Sequence, residues 1–118
     1  MNVTCHITTR AQWQQAQRAG SYRADTLDTE GFIHCSTPAQ VVRVANALFH
    51  AQAGLVLLCI APEKLQAELR YESPAPGATE LFPHLYGPLN LDAVVEVVDF
   101  PLRADGSFTL PPQVAALP

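Results

Sequence analysis

Apolar and polar positions follow two different periods along this chain, and the changes of period mark out its elements. Val3 to Thr8 is short and β-branched and predicts a first strand. Thr9, with Gln12 three residues on, has the form of a capping box, and Gly20 supplies a stop. A helix is therefore predicted over 10–19, with Trp13 and Ala16 facing inward and the glutamines outward. Ser21 to Glu30 is polar and rich in turn formers, and reads as a loop with a short extended piece at Tyr22. Gly31 to Cys35 (GFIHC) predicts a second strand. Directly after it, Thr37-Pro38-Ala39-Gln40 places a capping residue, a proline at the first helical position and a glutamine three past the cap. Val41, Val42, Ala45, Leu48 and Phe49 then recur at helical spacing up to about His50.

Leu55 to Ala61 (LVLLCIA) is apolar without alternation, as a central strand buried on both faces would be. Pro62 opens a short helical turn, and Leu69 to Glu72 predicts another strand. Ser73 to Thr79 (SPAPGAT) is a surface loop. Leu81 to Gly87 reads as part strand and part turn, and Leu91 to Phe100 as one β-branched strand. Residues 101–118, with Asp105-Gly106 and Pro111-Pro112, predict a turn-rich tail holding at most one short strand. Two helices in the N-terminal half and five or six short strands predict a mixed α+β fold, a single domain over 1–118.

A length of 118 residues suits one compact domain, and 15% charged with 48% hydrophobic residues suits a folded chain. Seven Lys and Arg against eleven Asp and Glu give a net charge of −4, so a nucleic-acid surface is not expected. The longest apolar run, 54–61, is far below the roughly 18 residues that a membrane span requires. With no apolar signal core after the start, a cytoplasmic location is expected. Cys5, Cys35 and Cys59 are widely spaced and form no CxxC, and read as small apolar side chains in strands.

Histidine carries the chemical information. His6, His34 and His84 lie in or beside apolar strand-like segments, and His50 at a helix end. Imidazole suits proton transfer near neutrality and hydrogen bonding to phosphate or ribose oxygens. Strand alternation points Cys5 away from His6 and Cys35 away from His34. If both strands share a sheet with their histidines on one face, a mixed Cys/His metal cluster is excluded. A three-histidine zinc site stays geometrically open, but no H-x-H or HExxH pair supports it and no metal is expected. Ser36, Thr37 and the first amides of the helix that follows are predicted donors for a phosphate, with His34 assisting. His6-Ile7-Thr8 and His34-Cys35-Ser36 resemble the H-x-[ST] motifs of two-histidine phosphoesterases, although this chain is too short for both halves of that fold.

A resemblance spanning most of the chain rests on CHITT (5–9), YRADTLDTEGFIHCST (22–37) and LFPHLYGPLNLDAVVEV (81–97), in that order. Together they resemble the bacterial family catalogued as domain of unknown function 952. The resemblance implies a fold related to the ADP-ribosyltransferases, a split and mostly antiparallel sheet gripping NAD in a central cleft. It would place His6 at the ribose-contacting histidine and let Tyr22, Phe32, Phe82 or Tyr86 stack on nicotinamide. The transferases add a late catalytic glutamate, for which Glu72, Glu80 and Glu96 are candidates; Glu72, at a strand end after Tyr71, is preferred.

The implied chemistry needs little acid help, because nicotinamide leaves from a ring that already carries positive charge. A carboxylate and an ordered hydroxyl network would stabilise the oxocarbenium-like transition state. The site expected is therefore His6, His34 and Glu72 for catalysis, with Arg23, Ser36, Thr37, His84 and Tyr86 holding a nucleotide, NAD being its substrate. His34 with Arg23 or Arg43 could instead engage a substrate phosphate. The competing readings are a nucleotide-binding module without catalysis and a phosphoesterase-like hydrolase.

Overall fold

The computed structural model describes residues 3–117. Its strands in chain order are β1 (Thr4–Thr9), β2 (Ser21–Tyr22), β3 (Ile33–His34), β4 (Leu55–Ile60), β5 (Glu68–Glu72), β6 (Phe82–Tyr86), β7 (Leu89–Asn90) and β8 (Val94–Asp99). Its helices are α1 (Arg10–Ala19), α2 (Asp25–Thr29), α3 (Pro38–Leu48) and α4 (Pro112–Ala115). All strand pairings are antiparallel, in sheets ordered β1-β4-β8, β3-β6-β5 and β2-β7.

Every residue of β4 is buried, and this position explains why its sequence is apolar throughout. Val56, Leu58 and Ile60 face one core, which also contains Trp13, Ile33 and Leu85. Leu55, Leu57 and Cys59 face a second core with Val41, Ala45 and Phe108. The β1-β4-β8 sheet is thus a wall between two apolar layers. One layer is covered by α1 and the smaller sheets, the other by α3 and the C-terminal tail.

Local chemistry sets the helix boundaries. The Gln12 amide N–H donates to Thr9 Oγ1 at 3.1 Å, and Gly20 ends α1 at φ 89° with its N–H on the Ala16 carbonyl. A left-handed φ there favours glycine. The Thr37 amide donates to Gln40 Oε1 at 3.0 Å and starts α3. Trp13 and Ala16 are buried as their spacing predicts.

Several elements differ from the sequence reading. Asp25–Thr29 is a short helix within a segment expected to be a loop; acidic residues in its first turn suit the positive helix end. In the GFIHC segment only Ile33 and His34 pair as strand. α3 stops at Leu48, which is 75% exposed and not on the buried face. The 91–100 segment divides into a 3-10 turn at Leu91–Ala93 and β8, and the β4–β8 ladder slips within β8, between the partners of Cys59 and Ile60. Among the described residues the tail holds α4 and no strand; it docks through Phe108, whose ring lies 4.7 Å from Phe100 and whose amide donates to Asn46 Oδ1. Among the described residues no helix is long and apolar enough to cross a membrane.

Because Leu58 is fully buried between three strands and α1's layer, Leu58→Ala should cost about 2–5 kcal/mol. Urea denaturation at neutral pH checks this, with a lower midpoint and an unchanged slope expected.

Candidate functional site

The β3-β6-β5 sheet has an apolar face and a polar one. Ile33 pairs with Leu85 and Leu85 with Leu69, and these three pack on the first core. Alternation sends their neighbours the other way. His34 pairs with His84 and His84 with Arg70, flanked by Glu72 opposite Phe82 and Glu68 opposite Tyr86.

On this polar face His84 is the buried centre, its side chain 5% exposed. Its Nδ1–H donates to Glu72 Oε1 at 3.0 Å, which leaves Nε2 as the acceptor nitrogen of the neutral ring. The Tyr86 hydroxyl donates to the same carboxylate oxygen. These two donors, Tyr86 foremost, hold the Glu72 carboxyl below its ordinary range, and the carboxylate in turn raises the Tyr86 hydroxyl. Arg70 lies over the Tyr86 ring, 4.3 Å from its centroid. Phe32 stacks on His84 at 4.1 Å, and the His34 ring meets His84 edge-on at 5.5 Å. His34 is half-exposed and donates from Nε2 to Glu30 Oε1 at 3.1 Å. Two histidines, each oriented by a carboxylate, therefore stand side by side.

His6 is different. Its ring is buried, with Nδ1 donating to the His34 carbonyl at 2.6 Å and Nε2 lying 2.8 Å from the Tyr22 hydroxyl. The contacts continue from Tyr22 to Thr8 Oγ1 at 3.0 Å and from Thr8 to Gln12 Oε1 at 2.9 Å. A carbonyl only accepts, so Nδ1 carries a hydrogen, and Nε2 and Thr8 Oγ1 share the one Tyr22 hydroxyl hydrogen. Burial pushes the His6 pKa down to about 4. Both ring nitrogens are engaged inside the protein, so His6 ties β1 to Tyr22 and to the His34 backbone.

A cavity of about 540 Å³ runs along β1. His6, His34, His84, Ser36, Tyr22 and Phe82 contribute to its wall, so the three histidines do converge. Its other end is apolar, with Leu48, Phe49 and Leu55. Thr26 also contributes to the wall, and its Oγ1 is buried without a hydrogen-bond partner among the described residues. An unmet polar atom of this kind costs about 1–3 kcal/mol and is satisfied by any ligand group that reaches it.

Other expected site residues lie elsewhere or are already occupied. The Ser36 amide donates to the Cys5 carbonyl and the Thr37 amide to Gln40, Pro38 has no N–H, and the Gln40 amide returns to the Thr37 carbonyl. The helix start is consequently not the open row of amides the sequence suggested; the hydroxyl of Ser36 is what reaches the cavity. Thr37, Arg23, Glu72 and Tyr86 are absent from the wall, Glu72 reaching it through His84 alone, and Arg23 pairs with Asp28 at 2.9 Å. Arg43 forms a two-pronged pair with Glu80, whose carboxyl it pushes down to about 2, so neither is free for chemistry. Glu96 is exposed on β8. Tyr22 is buried and tied to His6, while Phe82 and, at the apolar end, Phe49 also stand on the cavity wall. The cysteines are buried but not on one face: Cys5 packs in the second core and Cys35 in the first. The cause is that β1 and β3 belong to different sheets, joined only at Cys5 and Ser36. Among the described residues no group of three or more His, Cys, Asp or Glu is placed to hold a metal ion.

Arg70, Glu30 and Thr26 escaped the sequence reading. Arg70 could have been found, since it stands two residues before Glu72 on a strand and so shares its face. Nothing in the local pattern marks Glu30 or Thr26.

The His6 environment predicts an acid-sensitive contribution to stability. The unfolded ring titrates near 6.5 and the folded one near 4, so between these values the unfolded state binds more protons. Stability from this group is complete above about pH 6.5, falls as pH drops toward 4, and changes no further below that. The loss is on the order of 3 kcal/mol. Urea denaturation at pH 7 and pH 4.5 should show a steep difference in the native chain and a much smaller one in His6→Gln.

The crystal structure of protein CC0527 from Caulobacter crescentus is 36% identical to this chain, covers 96% of it and 98% of its own length, and superposes with a TM-score of 0.84. The solution NMR structure of CC0527 is 36% identical, covers 99% of this chain and all of its own, with a TM-score of 0.82. No protein of curated function matches. The family model described as protein of unknown function (DUF952) matches residues 7–97, which takes in the end of β1 after His6, both His34 and His84, and the Glu72 strand. On that match and the CC0527 likeness together, the chain belongs to the DUF952 family.

Proposed function

We propose that the cavity binds a nucleotide of the NAD class and that the polar face beside it acts on the ribose. The observation that carries this reading is the array Glu72–His84–His34, in which an anionic carboxylate orients the histidine that opens onto the cavity. His84 and His34 would hold ribose hydroxyls, and the Ser36 hydroxyl would take a phosphate or ribose oxygen. Phe82 offers a face for a planar ring. Glu72 supplies the negative charge that a developing oxocarbenium centre requires when the nicotinamide bond breaks. The fold kinship with ADP-ribosyltransferases implied by the sequence agrees with this chemistry, with Tyr86 positioning Glu72 and His6 positioning the His34 backbone.

Two adjacent carboxylate-held histidines also suit acid–base hydrolysis of a phosphoester, with His84 Nε2 as base. Ligand choice separates the two readings.

NAD, ADP-ribose and AMP titrated into isotope-labelled protein should each give saturable shifts centred on His34, Ser36 and His84. His34→Ala should weaken binding by about ten- to hundredfold without unfolding the domain, the loss of one ligand contact. Free nicotinamide followed in the same samples distinguishes a transferase or glycohydrolase from a binding module. Absence of saturable shifts at millimolar ligand overturns the nucleotide reading.

A further inference from the structure

Cys5 and Cys59 are direct partners in the β1–β4 ladder. Which kind of partner they are follows from the backbone. The Cys5 amide donates to the Ser36 carbonyl at 2.7 Å and the Cys5 carbonyl accepts from the Ser36 amide at 2.8 Å. Both polar groups of Cys5 therefore point away from β4. In an antiparallel ladder this makes Cys5–Cys59 a non-hydrogen-bonded pair, the type with Cα atoms about 4.5 Å apart and side chains closest together. The bond from the Arg10 amide to the Gly54 carbonyl fixes the same phase from the other end, placing the even-numbered residues of β1 in the hydrogen-bonded positions. A disulfide accepts Cα separations of about 4.4–6.8 Å, so the pair meets the distance requirement without moving either strand. Both cysteines are free and buried, and Cys5 also borders the cavity.

We propose that Cys5 and Cys59 form a cross-strand disulfide in the folded chain when a small peroxide enters the cavity. The Cys5 thiol beside it holds Cys59 below its ordinary range, while Cys59 and burial push Cys5 up, so Cys59 loses its proton first. The resulting thiolate attacks one peroxide oxygen, and the departing hydroxide takes up a proton as water. The sulfenic acid so formed is displaced by the second sulfur, which closes the S–S bond and releases the second water. Overall two thiols lose two hydrogens and one hydrogen peroxide becomes two waters. Cys35 has no part in this, because it packs in the opposite core across the β1-β4-β8 sheet.

The test is oxidation of the full native chain with hydrogen peroxide, followed by denaturing alkylation and peptide mass mapping. The expected product is monomeric, lighter by two hydrogens before alkylation, alkylated at Cys35 alone, with a dithiothreitol-sensitive link between the Cys5 and Cys59 peptides. Cys35→Ser should form the same link, and Cys5→Ser should leave a dimedone-reactive sulfenic acid at Cys59. Links that involve Cys35, scrambled links equal to those of a urea-unfolded control, or three alkylated thiols after peroxide overturn the proposal. The measurement on the native sequence requires no variant to fold, and nucleotide binding plays no part in it.

Discussion

Two backbone hydrogen bonds between Cys5 and Ser36 join the three-stranded wall of this molecule to the sheet that carries His34 and His84. Each is worth only about 0.5–1.5 kcal/mol net, so the junction is not strong in itself. It holds because Ile33 and Cys35 on one side and Cys5 on the other are sunk into apolar cores. Where this one bridge ends, the strands part and the cavity begins. His6 extends the seam by one more bond, its ring N–H reaching the His34 carbonyl where no backbone partner is available. The imidazole thus does the work of a missing ladder rung, and its burial is the cost of keeping His34 where it is.

That cost explains the polar run on the inner face of β1. Thr4, His6 and Thr8 are all buried beside the first core, where an apolar strand would pack more simply. Their hydrogen bonds pass from the His34 backbone through Tyr22 and Thr8 to Gln12, the residue that also caps α1. A network of this kind specifies one arrangement of β1, β2 and α1, because any slip leaves several buried groups unpaired at once. The electrostatics of the outer polar face follow a different rule. There Glu72 and Glu30 each orient a histidine, and Arg70 lies over the tyrosine that donates to Glu72.

The elements with strong periodicity and explicit caps were legible from residues alone: α1, α3 and β4 stand where Thr9, Thr37 and the LVLLCIA run put them. The convergence of His6, His34 and His84 followed from strand alternation and the resemblance to the family. What sequence could not supply was the sheet to which each strand belongs. With β1 and β3 assumed to share one, the cysteines seemed to fall on one face and His6 to lie open. Separate sheets place Cys35 in the core on His6's side and consume both His6 nitrogens. The amides of the helix start looked free because the bond from Ser36 back to Cys5 is long-range, and no local pattern encodes it.

The Arg43–Glu80 pair, with Gln40 bonded to Glu80 and the Leu81 carbonyl, anchors the chain just where the SPAPGAT loop returns to β6. At the loop's other end the Ser73 hydroxyl donates to the carbonyls of Ala75 and Ala78, tying it into a self-contained knuckle beside β5. The loop contributes nothing to either core, yet Pro74 forms part of the cavity wall. Residues 75–79 can therefore lengthen, shorten or change character with little effect on folding, while the mouth of the cavity changes with them. Descendants of one ancestral chain can diverge in what they admit by altering this one exposed turn, each keeping the same buried histidine seam.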